Sequence, residues 1–406
     1  MKRIGIDARF WGEAGPGRYV SNLVKGLEKL DSENKYFIFL TPKGYKDFTP
    51  KNKNFIKVLA DYRWYSFSEQ LFYPKLLYQY NLDLLHFAQF NMPLLYFRPF
   101  TVTIHDMILH DYPIKKGGWK NKMLYPVKRL GYLVIFWWAA RLSRAIVVPS
   151  EDAKKDLVTR LGIAPKKVTV TTEGFDKELR ITNYELSIGK KILARYGVKK
   201  PYLLFVGSMY PHKNLERLVE AFALMSDVGC QMSDVRGESG RSSALGRLSS
   251  DIKLVLVGKE SYFSKRLRQK VESMGLKNRV FFPGEKAPQG YVPDEDLPTF
   301  YQNAAAFVFP SLKEGFGIPP LEAMAFGVPV AASNASCVPE VCGRAALYFD
   351  PKNPSDMAEK ISRLLQDKDL QKKLVAAGQE NVKKFSWQKM AEQTLEVIQE
   401  VLNSKY

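Results

Sequence analysis

Two loops in the second half of the chain hold the residue types that bind phosphate and sugar. Residues 314–322 read EGFGIPPLE, directly after an apolar run at 306–309. Gly315 and Gly317, flanking Phe316, carry no side chains, so backbone N–H groups can approach an anion closely. Pro319 and Pro320 pre-set φ for a first helical turn. A helix beginning near Pro320 aims its positive end at a phosphate or diphosphate. Glu314 and Glu322 then flank one cavity, where carboxylates accept the paired hydrogen bonds of vicinal sugar hydroxyls. The same two acids also suit a plainer task, complementing a helix dipole at the surface.

The second loop, VGSMYPHKN at 206–214, again leaves a strand and enters a helix. Gly207 and Ser208 close the strand where open α/β sheets bind ligands. Lys213, at the helix start, offers a point charge to a leaving diphosphate; a solvated lysine beside a turn is the alternative. In the first half, GEAGPGR at 12–18 joins the first strand to the first helix. Gly15 and Gly17 permit a tight loop and Arg18 can meet phosphate, although a purely structural turn reads the same way. His105 and Asp106 end a strand at 101–105. His105 is one of four histidines and stands where catalytic groups sit in such sheets; a satisfied structural histidine is the competing reading.

Short apolar strands alternating with amphipathic helices must position these loops, a pattern that predicts parallel sheets covered on both faces. In the first half the strands fall at 3–7, 36–40, 84–86, 101–105, 145–149 and 168–171, with helices at 18–30 and 152–161. The rhythm restarts with strands at 202–206, 253–257, 280–282, 306–309 and 328–332, and helices near 214–225, 263–274, 295–304 and 321–326. The expected class is α/β, with two Rossmann-like doubly wound domains facing each other across a cleft. The first covers 1–175 and the second 201–385, joined by a charged linker at 176–200. A stretch rich in Ser, Gly and Arg, 226–251, reads as a mobile insertion. Apolar positions at 386–402 recur at helical spacing, so a packed helix is expected at 386–403.

The 406 residues, 46% hydrophobic and 25% charged, suit two globular cores. Three cysteines with no C-x-x-C pair argue against disulfide frameworks and zinc. No Walker A sequence or G-x-S-x-G elbow occurs. The D-x-D strings at 294–296 and 367–369 sit at helix starts and read as caps, so no metal site is expected. The longest apolar run, 130–140, is well short of the roughly 20 residues that span a bilayer. No signal peptide is read, because the chain opens directly on a strand.

The net charge of +19 attracts polyanions: nucleic acid, anionic lipid or phosphorylated substrates. Residues 115–144 combine Lys116, Lys120, Lys122, Lys128 and Arg129 with six aromatic residues. That mixture suits an anionic membrane surface; a core helix with solvated lysines is the alternative.

Several motifs in order resemble the retaining glycosyltransferases of family 4. They are GPGRY at 15–19, TIHD at 103–106, VGS-x-x-P-x-KN from Val206, E-x7-E from Glu314 to Glu322, AMAFGVPVAASN at 323–334 and PEVCGRAALYFDP at 339–351. The resemblance implies the GT-B fold and transfer of a hexose from a nucleoside diphosphate sugar to a glycan or lipid-linked acceptor. It implies no cofactor and no metal. The first domain would take the acceptor and the second the nucleotide sugar, with the 386–403 helix packing back on the first. By the same resemblance, Glu314 contacts the donor sugar's hydroxyls, Glu322 the ribose and Lys213 the diphosphate. The backbone at 315–317 and at Gly207–Ser208 lies beside the donor. His105 is near the transferred sugar, the Gly15–Gly17 loop touches donor and acceptor, and Arg18 and Asp106 lie on the acceptor side.

Many members carry arginine where this chain has Ser208, which leaves Lys213 as the main cation, with His212 or Arg18 to assist. The P-x-K-N branch often uses GDP-mannose, and the expected location is cytoplasmic, peripheral on the inner face of a membrane. The rival readings are a nucleotide-sugar epimerase or phosphorylase of similar fold, and a basic nucleic-acid-binding protein; with the sugar-nucleotide reading, no nucleic-acid partner is expected.

Overall fold

The computed structural model describes residues 1–13, 15–113, 119–175, 186–225 and 252–404. They fall into two compact units, Met1–Gly174 with Phe385–Tyr406, and Phe175–Lys384. The expected insertion at 226–251 and residues 176–185 of the expected linker lie outside the described residues. The rest of that linker carries the helix Leu186–Arg195.

The first unit is built on strands β1 (Arg3–Asp7), β2 (Lys35–Leu40), β3 (Phe55–Leu59), β4 (Leu84–Phe87), β5 (Phe100–Thr103), β6 (Ile146–Val148) and β7 (Val168–Val170). They form one sheet of order β3-β2-β1-β4-β5-β6-β7, parallel at every pairing. Its strands are apolar almost throughout because helices cover both faces. Ile4, Ile6 and Ile38 point to one face, covered by the helices Pro16–Leu30 and Trp387–Asn403 through Leu23, Leu27, Met390 and Ile398. Those two helices touch closely: a Cβ on Gly26 would lie 2.3 Å from Ala391 Cβ. Phe39, Leu85 and Phe87 point to the opposite face, covered by Tyr73–Gln79 and Trp119–Leu142 through Tyr73, Leu77, Phe136 and Ala140, with the short helix Phe67–Leu71 preceding Tyr73–Gln79.

The chain passes between the units after Gly174 and before Phe385. Within the first unit Gly174 packs against the start of the last helix: a Cβ on it would sit 2.2 Å from Trp387 N. Strand β3 was not expected from the sequence. It is a half-buried edge strand, FIKVL, whose lysine interrupts the apolar run.

The second unit carries β8 (Tyr202–Val206), β9 (Lys253–Val257), β10 (Val280–Phe281), β11 (Ala306–Phe309), β12 (Val330–Ser333) and β13 (Ala346–Phe349). Their order is β10-β9-β8-β11-β12-β13, again parallel. Strand order reverses between β8 and β11, the switch point at which doubly wound sheets open a ligand crevice beyond the strand ends. Edge strand β13 also escaped the sequence reading. The helix expected near Pro320 starts two residues earlier, as Ile318–Ala325, because Gly317 turns the chain into it at φ +97°.

One D-x-D expectation holds and the other is corrected. Asp367 caps its helix by accepting from Leu370 N at 2.9 Å. Asp296 makes no side-chain cap; its carboxylate instead accepts from Tyr196 OH at 2.6 Å and pairs with Arg195.

Candidate functional site

In the second unit the motif loops meet at the β8/β11 switch point. Gly207, with φ +153°, follows the end of strand β8, and Gly258, after β9, lies so near it that a Cβ there would sit 2.3 Å from Gly207 O. Ser208 is exposed. The chain then makes the short 3-10 turn Pro211–Lys213 and passes through Asn214 at φ +60° into the helix Leu215–Leu224. Asn214 donates to Pro310 O at 3.0 Å and Pro351 O at 2.6 Å, and Leu312 N donates to His212 O at 2.8 Å. These bonds fasten the β8 loop to the one after β11.

Lys213 therefore faces Glu314, donating to Oε1 at 2.6 Å and Oε2 at 2.8 Å. Their side chains are only 14% and 7% exposed, so the attraction is little screened. Glu314 is held at its backbone: Ser336 Oγ accepts from its N–H at 3.3 Å and donates to its carbonyl at 3.1 Å. Cys337 Sγ lies 3.4 Å from Glu314 O and 3.2 Å from Phe316 O. Gly315 and Phe316 are buried, and Gly317 opens the Ile318–Ala325 helix. A Cβ on Gly317 would already touch the Phe309 ring, 3.4 Å away. Glu322, on the buried side of that helix, accepts from Tyr301 OH at 2.7 Å.

Two expectations change here. Lys213 is not a lone charge at a helix start; it lies in the turn before the helix, paired with Glu314. His212 brings no positive charge of its own in place of the arginine absent at Ser208. Its ring is buried, and desolvation, reinforced by Lys213, pushes its pKa down to about 4, so it is neutral at pH 7.

In the first unit, Gly15 precedes the helix Pro16–Leu30 with φ +67°. Gly17 is fixed by packing, since a Cβ there would sit 2.5 Å from Phe10 O. Arg18 is half-buried on that first turn. Asp106 Oδ1 accepts from Ile108 N at 2.8 Å, shaping the turn after β5. His105 lies beyond the end of β5, which stops at Thr103 rather than running to 105. It is buried, with Nδ1 3.1 Å from Glu173 Oε1 and Nε2 3.1 Å from Ala88 O. Both ring nitrogens thus face oxygen acceptors, and only the doubly protonated ring donates to both. Burial opposes that charge, but the hydrogen bond and charge of Glu173 outweigh it and hold His105 above the usual histidine range. The edge of Tyr19 packs on this ring, centroids 4.7 Å apart.

Nearby His86 is the opposite case. It sits 2.9 Å from Thr101 Oγ1 and 3.1 Å from Thr103 Oγ1, and burial together with His105 pushes its pKa down to about 3.

Sequence reasoning missed Glu173, Tyr301, Ser336 and Cys337. Glu173 follows β7, and Ser336 and Cys337 follow β12, so the strand-end rule that found the glycine loops also covers them. It also missed the buried cluster at the end of β1, where Arg9 pairs with Asp7 and Glu69, each at 2.8 Å.

A model of glycosyl transferases group 1 matches residues 193–381, and one of glycosyltransferase family 4 matches residues 14–179. The chain belongs to the family 4 glycosyltransferases. Among curated relatives, O-antigen chain mannosyltransferase B of Escherichia coli is 35% identical over 194 residues, 48% of this chain and 44% of that protein. O-antigen chain mannosyltransferase RfbU of Salmonella typhimurium is 26% identical over 66% of this chain and 61% of that protein. The chain thus spans less than two thirds of the length of these relatives. Among solved structures, Anabaena Alr3699/HepE in complex with UDP-glucose superposes with a TM-score of 0.72 at 16% identity, over 98% of this chain and 100% of that one. Sucrose-phosphate synthase from Thermosynechococcus elongatus gives 0.71 at 18% identity over the whole of both chains. The fold of this glycosyltransferase is GT-B.

Proposed function

We propose that this glycosyltransferase moves a mannosyl residue from GDP-mannose to a glycan or lipid-linked acceptor, with retention and without a metal. The observation that carries the reading is the Lys213–Glu314 pair beside the glycine turn that opens the Ile318–Ala325 helix. The names of the relatives, O-antigen chain mannosyltransferases, support mannose as the sugar.

An ammonium has three donors, and Lys213 spends two on Glu314. The third serves the diphosphate, which also meets the backbone at Gly315–Gly317 and the positive helix end. Glu314, its charge already balanced, accepts sugar hydroxyls without repelling the phosphates. Glu322, oriented by Tyr301, accepts from the ribose diol. In the first unit His105 is assigned to the transferred sugar as a nearby positive charge, its two N–H groups being spent on Glu173 Oε1 and Ala88 O.

As the anomeric C–O bond breaks, negative charge grows on the departing diphosphate and positive charge on the sugar ring. Lys213 and the helix terminus stabilise the leaving group, so the proposed reaction draws on no metal ion. The acceptor hydroxyl then attacks the anomeric carbon from the face the diphosphate leaves, passing its proton to the departing phosphate oxygen, and configuration is retained. Because the charge at the leaving group is greatest in the transition state, Lys213→Ala is expected to lower turnover, read as GDP release, by about 10²–10³-fold. Donor affinity should change far less. Turnover equal to wild type would strip Lys213 of this role.

A further inference from the structure

The two helical layers of the first unit differ in what they show to solvent. Pro16–Leu30 and Trp387–Asn403 have no large exposed apolar side chain. On the opposite layer, Trp119–Leu142 exposes Leu124, Val127, Leu130, Val134 and Trp137. Their spacing of three and four residues places them in one stripe along the helix, and Val127 is 70% exposed. Beside it, Phe67, Leu71 and Phe72 are exposed on the neighbouring short helices, and Leu95 and Phe97 on the loop hydrogen-bonded to them. Phe67 is 88% exposed. Phe90, packed on both Tyr65 and Phe136, bridges the two groups from beneath.

The charge along these exposed segments has one sign. Helix Trp119–Leu142 contains no Asp or Glu. The sole acid in residues 67–79 is Glu69, buried against Arg9. Cations lie among the aromatic rings: Lys75 Nζ is 5.7 Å from the Phe72 ring centroid, the Arg98 guanidinium 5.5 Å from that of Tyr78 and the Arg141 guanidinium 5.9 Å from that of Trp137. Among the described residues no helix is long and apolar enough to cross a membrane.

We infer that this layer, residues 67–72, 95–97 and 124–141, is a docking surface that lies on a bilayer rich in acidic phospholipid. Apolar side chains enter the acyl boundary while lysine and arginine meet the phosphates. A second copy is the poorer occupant: docked on the same segments, it would set these cations against themselves, with no exposed acid among the segments to balance them. The inference reaches well beyond the 115–144 segment singled out in the sequence, and it stands independently of which donor the second unit binds.

The test is co-sedimentation of the full chain with vesicles of phosphatidylcholine alone and of phosphatidylcholine mixed with phosphatidylglycerol. Binding to the mixed vesicles, little to the neutral ones and release in high salt are expected. V127S/L130S and F67S/F97S should each weaken partitioning by at least about tenfold, with melting temperature and GDP release on a soluble acceptor unchanged. No binding to the mixed vesicles would overturn the inference, as would undiminished binding of both double variants. A concentration-dependent dimer that V127S/L130S abolishes would also overturn it, by giving the face to a second copy.

Discussion

Lys213 and Glu314 are 101 residues apart, and no spacing rule links them. Each is legible alone, as a cation or an acid in a glycine-bearing loop, but their pairing exists only because β8 and β11 are neighbours at the switch point. The same holds for His105 and Glu173, which come from the ends of β5 and β7. This second pair has a pH signature. His105 keeps its proton to higher pH in the folded chain than the ordinary value near 6.5. Its pairing with Glu173 therefore stabilises the fold fully below about pH 6.5, and the contribution fades as pH rises through the raised value. Glu173→Gln should lose most stability relative to wild type in the acid range and progressively less toward alkaline pH, read as urea midpoints across a pH series. A gap independent of pH would mean that His105 is neutral in the fold.

Strands and helices were the more readable level, because buried parallel strands announce themselves as apolar runs. The losses came at the edges: β3 and β13 are half-buried, so their patterns are diluted. The glycines show how context decides what a sequence symbol means. Gly258 drew no notice in the sequence, yet its missing side chain lets β9 pass against Gly207 O. Gly131 lies in the exposed middle of Trp119–Leu142, with nothing within 4 Å of a Cβ built there. Gly258→Ala should cost about 1–3 kcal/mol through overpacking and disturb the β8 loop that holds Lys213. Gly131→Ala should gain about 0.5–1 kcal/mol from helix propensity and a restricted unfolded chain. Chemical denaturation of the two variants separates these outcomes; a stable Gly258→Ala chain would refute the close-packed account of that strand end.

Across the whole chain, two successive strand–helix series foretold two doubly wound sheets, and the described residues form two. Composition could not show that the last helix, Trp387–Asn403, completes the core of the first unit. Its amphipathic spacing is readable, but an apolar stripe does not name the surface it meets; the first unit was expected as its partner only from the family resemblance. Nor does a net charge of +19 disclose that residues 67–72, 95–97 and 124–141 of the first unit are basic and apolar together. The question for the intact molecule is whether the second unit's glycine turn receives a nucleotide sugar. Calorimetric titration of GDP-mannose into the full chain asks this directly. One site per chain is expected, with Glu322→Gln, which loses a charged acceptor, binding at least about tenfold more weakly. Absence of binding by GDP-mannose, or an affinity in Glu322→Gln equal to wild type, would contradict it.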